Sequence, residues 1–167
     1  MLNYIWMALL FLGLAAAVTN DIIDQTTNKF HNNTPIKSEI IFSNNINKIE
    51  NNQSYSIKIK IDKNTFYNIY NEKIFNDLIF DAKITTTKEK NLFTTNFIIS
   101  DNSPPILKTI AKANGNEDDI NGKIYLGKID NQIATANLIL EEVSFLKIKS
   151  VTNAAIDYAK TAVEIAL

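Results

Sequence analysis

The chain has 167 residues, of which 17 are basic and 18 are acidic, and it contains one His and no Cys. This length allows one core of ordinary size and excludes a large multidomain enzyme. The net charge of −1 argues against nucleic-acid binding, which needs a clustered excess of basic side chains. Every basic residue is Lys, which excludes bidentate Arg clamps on phosphate, and the lack of Cys excludes disulfides, thiolate metal sites and Cys nucleophiles.

The first element is an uncharged, apolar segment, residues 1–20, which predicts a helix long enough to cross a membrane. Tyr4 and Trp6 lie near its start, where aromatic rings favour the headgroup level. A cleaved signal peptide is the alternative, because the three Ala residues at 15–17 are similar to a cleavage site. The first Lys is Lys29, so the basic segment that precedes a signal core is missing. We therefore predict a transmembrane helix or signal anchor.

Residues 21–33 are polar and predict a tether that leads away from the membrane. Asp21 and Asp24 come after the apolar segment, and only the terminal amine precedes it, which favours an N-terminus inside and an exoplasmic location for residues 21 onward. His31 lies in this tether. We expect it to be solvated, because triads and zinc sites need companion residues that the chain lacks.

Residues 34–148 predict a domain dominated by antiparallel strands. Residues 54–61 alternate strictly between apolar and polar side chains, which is the pattern of a strand with one buried face. The predicted strands are 38–42, 54–61, 78–86, 92–99, 123–128, 133–139 and 143–148, with turns at 87–91 and 130–131, and the two predicted short helices are 64–72 and 103–115. The predicted class is α+β. A sandwich is the first choice of architecture, and a two-layer sheet with helices is the alternative.

Residues 150–167 change to a helical period and predict an Ala-rich amphipathic helix. One stripe is apolar and a second is charged; they consist of Ala155, Ile156, Ala159, Val163 and Leu167, and of Asp157, Lys160 and Glu164, respectively. Small residues permit close approach of another helix. The segment has no Gly, Pro or basic last turn to end it, which is typical of a truncated sequence, with a frayed natural C-terminus as the alternative.

Residue groups that could carry chemistry are few. The acidic run 114–119 is similar to a calcium loop but lacks its central Gly and final Glu, which favours a surface turn. Glu141 and Glu142 are sequence neighbours, so in a strand they would point to opposite faces. An aromatic set is predicted to fill the core, with a ligand-stacking surface as the alternative; it comprises Phe66, Tyr67, Tyr70 and Phe75. We predict no catalytic, cofactor or metal site, and no enzyme.

The two ends of the chain resemble a known family. The opening Leu2-Asn3-Tyr4-Ile5-Trp6 with its apolar run, and the closing segment 151–167 with Ala159 to Glu164 at its centre, resemble the start of bacterial spore maturation protein A and its relatives in the nucleoside recognition, or gate, domain group. In that family the two segments are near neighbours, whereas here a strand-rich domain lies between them. The resemblance implies an integral protein of the bacterial cytoplasmic membrane, with other transmembrane helices as partners. It also implies that residues 150–167 are the start of a membrane domain that this sequence lacks.

These features lead to two candidate functions. The first is a non-enzymatic membrane protein, similar to spore maturation protein A and nucleoside recognition domain proteins, with an exoplasmic strand-rich interaction domain. The second is an exported binding module with a cleaved signal, which recognises a peptide, glycan or small ligand. Retention of the mature protein in the membrane separates the two.

Overall fold

A computed structural model describes residues 2–43, 53–87, 89 and 91–166 of the chain. Within these residues the helices are α1 (Leu2–Thr26), α2 (Lys63–Tyr70), α3 (Pro105–Ala113) and α4 (Leu146–Ala166). The strands are β1 (Ile36–Phe42), β2 (Ser54–Ile61), β3 (Leu78–Thr86), β4 (Leu92–Ile98), β5 (Asp119–Asp130) and β6 (Ile133–Leu140). The chain divides into two compact units, residues 30–142 and the two flanking segments, 1–29 and 143–167.

The unit of residues 30–142 is a closed antiparallel barrel. Each strand pairs with its neighbour in the sequence, and β6 returns to pair with β1, where Ile36 faces Leu138 and Ile41 faces Ile133. The predicted α+β class and the strand-rich domain are therefore present. The sandwich is replaced by a barrel, because the pairing of β1 with β6 joins the two strands that would be open edges of a sheet.

Alternation along each strand fills the barrel interior. In β2, Ile57, Ile59 and Ile61 are buried, while Lys58 between them is exposed. The largest fully buried side chains come from the strands and from both short helices; they are Phe42, Phe66, Phe97, Ile36, Ile40, Ile59, Ile61, Ile84, Leu107, Ile110, Ile120 and Ile124. These side chains occupy the interior of the barrel, so the surfaces open to a ligand are its outside and its ends.

The two short helices begin where the sequence predicts. Asp62 caps α2, since its Oδ1 accepts hydrogen bonds from the backbone N of Asn64 at 2.9 Å and of Thr65 at 3.1 Å. The helix ends at Asn71, which has a left-handed backbone (φ 52°). Helix α3 has Pro105 at its first position, where the missing N–H costs nothing. The helices connect β2 to β3 and β4 to β5, so the antiparallel order places them at the same end of the barrel.

The largest differences from the prediction are at the end of α1, in the segment before α4 and at the start of β5, which begins at Asp119 rather than at residue 123. Helix α1 continues to Thr26, so the first six residues of the predicted tether are helical; no Gly or Pro interrupts them. The predicted strand at 143–148 is wrong, because helix α4 begins at Leu146. The apolar residues of that segment do not alternate strictly, since Phe145 and Leu146 are neighbours, and a side-chain cap on the first turn of α4 favours the helix. Of the other predictions, the 87–91 turn and the 150–167 stripe lie partly outside the described residues, at Lys88, Lys90 and Leu167.

The second unit contains the helix pair α1 and α4, which pack against each other. Asp21 of α1 is only 2% exposed, and its two carboxylate oxygens accept the backbone N–H groups of Lys147 at 2.9 Å and of Ile148 at 2.8 Å. These are amides of the first turn of α4, which have no acceptor within their own helix. A side chain of one helix thus caps the other, and its negative charge also matches the positive end of the helix dipole.

Asp24 lies one turn further along α1 and adds charge pairing to this junction. Its Oδ1 is 3.4 Å from Lys29 Nζ and its Oδ2 is 3.2 Å from Lys147 Nζ. The second contact is an ion pair by distance but lacks the alignment of a hydrogen bond. Lys147 therefore contacts both aspartates of α1, one through its backbone and one through its ammonium group.

Barrel stability should depend on the inward side chains. We expect Ile40→Ala, at a fully buried position, to lower the free energy of unfolding by about 2–5 kcal/mol, because it removes buried methylene groups and leaves a cavity. The matched control Ile79→Ala lies on the barrel surface, where the side chain is 58% exposed, and should cost less than about 1 kcal/mol. Urea titration of the two variants measures both values, and equal losses would contradict the barrel registers.

The cap by Asp21 gives a second prediction. Asp21→Ala should lower the free energy of unfolding of the helix pair by about 1–2 kcal/mol, because two amides of α4 lose their acceptor. Amide hydrogen exchange should become faster at Lys147 and Ile148 before it does so elsewhere in α4. Asp157→Ala, an exposed Asp in the middle of α4, is the control and should leave these two amides unchanged. Unchanged exchange in Asp21→Ala would refute the cap.

Candidate functional site

A groove of about 570 Å³ lies on the outer face of the barrel, across the strands that close it. Its lining comes from β1, β2, β5, β6 and the start of α2, and comprises Lys37, Ser38, Glu39, Lys60, Asp62, Thr65, Tyr125, Leu126, Gly127, Thr135, Ala136 and Asn137. Ligand sites in proteins commonly have volumes of about 300–1,000 Å³. The groove therefore has the size of a small-ligand site.

Strand register arranges the outward side chains of the groove in two rows. In one row Glu39 stands between Lys60 of β2 and Thr135 of β6. In the other row Asn137 stands between Lys37 and Tyr125. Neighbouring outward residues on paired strands are within reach of one another, so each row is continuous. The rows place Lys60 on one side of the groove and Tyr125 on the other, and the side chains between them are Lys37, Glu39, Thr135 and Asn137.

Gly127 makes room in the groove. The pairing of β5 with β6 shifts between Leu126 and Ile129, as in a β-bulge, and Gly127 lies in this shift. A Cβ atom at position 127 would lie 2.7 Å from Thr135 Oγ1 and 3.1 Å from the Thr135 carbonyl oxygen. Only Gly allows the two strands to approach this closely.

Charged side chains hold the other side of the groove in place. Lys60 Nζ lies 3.4 Å from Glu39 Oε2 and 3.4 Å from Asp77 Oδ2. Asp77 Oδ1 in turn accepts the backbone N–H of Lys63, the first residue of α2, at 3.1 Å. Asp62 caps the same helix, so the carboxylates of Asp62 and Asp77 both accept hydrogen bonds from the first backbone amides of α2.

These contacts change two pKa values in opposite directions. Hydrogen bonding and charge attraction to Glu39, followed by those to Asp77, raise the pKa of Lys60 above 10.5. The hydrogen bond from the Lys63 backbone, helped by Lys60, lowers the pKa of Asp77 below 3.8. Both groups are therefore charged at neutral pH, and each stabilises the charge of the other.

Polar side chains dominate the lining of the groove. Its charged residues are two Lys and two acids, so the formal charges cancel. Hydroxyl, amide and carboxylate groups line it together with the ring of Tyr125, which is 43% exposed. Across the described part of the chain, no group of three or more His, Asp or Glu side chains could hold a metal ion.

The structure places His31 differently from the prediction. His31 is half-buried, and its ring lies edge-on to that of Tyr70, with centroids 5.4 Å apart. Tyr70 also contacts Phe66, whose centroid is 4.9 Å away, and burial raises the pKa of the Tyr70 hydroxyl well above its usual range. The expected solvated His is thus part of an aromatic cluster, since the turn that contains it leads directly into β1.

The remaining predicted residues are scattered. Phe66 is in the core as expected, but Phe75 is wrongly assigned to the core, since it is 95% exposed in the segment between α2 and β3. In the acidic run, Asp119 belongs to β5 and its Oδ2 accepts from Asn96 Nδ2 at 2.6 Å. Glu141 Oε2 accepts from Asn121 Nδ2 at 3.2 Å, so it links the end of β6 to β5. The structure does not bring these residues together into one site.

Sequence reasoning missed Tyr125 and its neighbours. The signal was available, because Tyr125 occupies an outward position in a strand where Ile124 and Leu126 point inward. The sequence could not supply the partner strand on each side, since β1 and β6 are about 95 residues apart in the chain.

Helix α1 is a separate candidate for function. Residues Tyr4–Thr26 form the one described helix that is long and apolar enough to span a membrane, and a signal sequence has the same properties. Its large apolar side chains are exposed from Tyr4 to Leu14. Comparison with known proteins adds no family, since no family model, curated protein or solved structure matches the chain.

The charge contacts of Asp77 predict a pH effect. Because the folded pKa lies below 3.8, the stabilisation by Asp77 is complete above that value and is lost as the pH falls through the lower, folded pKa. NMR titration of the Asp77 carboxyl should give a midpoint below 3.8. Lys60→Met should raise this midpoint only in part, because the backbone of Lys63 remains as donor. A midpoint at or above 3.8 in the unmodified protein would contradict the described contacts.

Proposed function

We propose that the protein is a non-enzymatic, membrane-anchored binding protein, in which α1 spans the bacterial cytoplasmic membrane and the barrel is an exoplasmic interaction domain. The observation that supports this most directly is the contrast in burial between the two units. The barrel has a core of buried apolar side chains, whereas every large apolar side chain of α1 from Tyr4 to Leu14 is exposed, including Trp6 and Phe11. A surface of that kind needs lipid or protein around it.

The geometry of α1 favours a retained anchor over a cleaved signal. The helix is continuous from Leu2 to Thr26, and the Ala residues that are similar to a cleavage site lie within it. Ala17 is buried, and Asp21 further along the same helix caps α4. Cleavage after Ala17 would remove the apolar part of α1 and leave a short helical remnant to carry the cap. The exported module with a cleaved signal remains the second candidate, because the Ala run is present.

Helix α4 supports the proposal that other transmembrane helices are partners. Ile156 and Val163 are exposed on one stripe of the helix, and Asp157 and Glu164 lie beside that stripe. An amphipathic helix with an unpartnered apolar stripe is stable only when that stripe is covered. We assign this cover to helices of a membrane assembly, as the resemblance to spore maturation protein A implies.

Insertion of a domain between two family segments also has a physical basis here. The barrel begins with β1 and ends with β6, and these strands pair with each other, so its two chain ends leave side by side. Domains with adjacent ends are tolerated as insertions. This supports the proposal that a strand-rich domain was inserted between segments that are near neighbours in the spore maturation and nucleoside recognition proteins.

Membrane anchoring is tested by fractionation. The full chain with a C-terminal tag, expressed in bacteria, should stay in the membrane pellet after carbonate extraction and should keep residues 1–20 by mass spectrometry. Leu10→Arg should move it towards the soluble fraction, because a charge near the helix centre costs about 2.5–3.5 kcal/mol on insertion. Leu10→Ala is the matched control and should stay in the pellet. A soluble product that begins after Ala17 would instead establish the exported module.

The side of the membrane on which the barrel lies can be determined with a single thiol label. The chain has no Cys, so Lys123→Cys, at an exposed barrel position, introduces a unique thiol. A membrane-impermeant maleimide should label it in intact spheroplasts as strongly as in lysed ones. Labelling only after lysis would place the barrel in the cytoplasm and refute the exoplasmic part of the proposal.

A further inference from the structure

We infer that the groove across β2, β1, β6 and β5 is a binding site for a short, neutral saccharide, with the exposed ring of Tyr125 as the stacking face. This inference deepens the proposed function by naming the ligand class of the barrel. It rests on the proposed function only in that the barrel is taken to be a binding domain. The site itself lies entirely within residues 30–142.

The charges of the groove lining argue against an ionic ligand. Lys60 is held by Glu39 and Asp77, both at 3.4 Å, and is therefore neutralised within the protein. Lys37 and Asp62 add one charge of each sign to the lining. No Arg exists in the chain to clamp a phosphate or carboxylate. This balance fits a ligand without net charge.

The polar groups of the groove match a ligand rich in hydroxyl groups. Thr135 and Asn137 are exposed neighbours in the two rows, and together they supply both donors and acceptors. Sugar hydroxyls also donate and accept, so one ring can use a Thr hydroxyl, an amide and a carboxylate at once. Tyr125 stands beside Asn137 in the register and offers an aromatic face to the apolar side of a pyranose ring.

Fold geometry argues against a peptide ligand in an extended form. Peptides that add a strand need an unpaired sheet edge, and each described strand of the barrel has a paired neighbour on both sides over at least part of its length. Peptides that insert an apolar anchor need an apolar pocket, whereas the apolar lining residues Leu126 and Ala136 belong to the filled interior. The groove presents polar side chains and one ring, which is a saccharide-like set.

The test uses the full chain in detergent micelles and three neutral probes, cellobiose, maltose and N,N′-diacetylchitobiose. Titration followed by NMR should show saturable shifts at the backbone amides of Thr135 and Asn137 with at least one probe. Tyr125→Ala should weaken that binding by about tenfold or more, because the stacking face is lost. Tyr67→Ala removes a ring of almost equal exposure, 40%, outside the groove, and should change the affinity by less than about twofold.

A second variant tests the space that Gly127 provides. Gly127→Ala puts a methyl group against Thr135 and should reduce binding while Tyr125 is intact. Circular dichroism of each variant confirms that the barrel is folded. The inference is overturned if none of the three probes binds, if Tyr125→Ala binds as well as the unmodified chain, or if glucose 6-phosphate or sialyllactose binds more tightly than every neutral probe. Carbonate extraction measures membrane anchoring independently. A failure of saccharide binding therefore does not contradict the proposed anchor.

Discussion

Strand β1 pairs with strand β6 through the register that sets Ile36 opposite Leu138, and this pairing closes the barrel. Three other features depend on it. Closure surrounds the inward Ile and Phe side chains with strands on every side, so the core needs no second sheet. It places Glu39 beside Thr135 and Lys37 beside Asn137, so the middle of the groove depends on this pair of strands. It also brings the start and the end of the barrel unit to adjacent positions, from which the chain continues into two helices.

The two units differ in where their apolar side chains lie. In the barrel, a period of two places Ile57 and Ile59 inward and Lys58 outward, so the outer face of β2 is polar. In the helix pair, apolar side chains surround most of α1, and no partner within the described part of its unit covers them. The polar exception is Asp21, which is buried because it is the acceptor for two amides of α4. Its carboxylate is thus a structural group, although its position after an apolar segment looks like the end of a membrane span.

Local patterns predicted the elements well, and long-range pairing could not be predicted. The alternation at 54–61 and the Pro-Pro cap before Ile106 each determine an element within a few residues, because the signal lies among neighbours in the sequence. The barrel closure depends on β1 and β6, and no local signal states which strand pairs with which. Helix α4 is a second case, because Asp21, which caps its first turn, lies 126 residues before Lys147 in the chain. The groove was missed for this reason, since its residues come from four strands and a helix.

The adjacency of the two barrel ends also affects the stability of the contact between the two helices. Before the barrel forms, α1 and α4 are separated by a loop of residues 27–145, and closing a loop of that length has a high entropic cost. After it forms, only the segments 27–35 and 141–145 remain to be ordered between the two helices. The logarithmic dependence of loop entropy on length lowers the cost of the helix contact by about 2 kcal/mol once the barrel is folded. The contact between the two helices, with the cap by Asp21 on α4, is therefore more stable when the barrel is folded than when it is not.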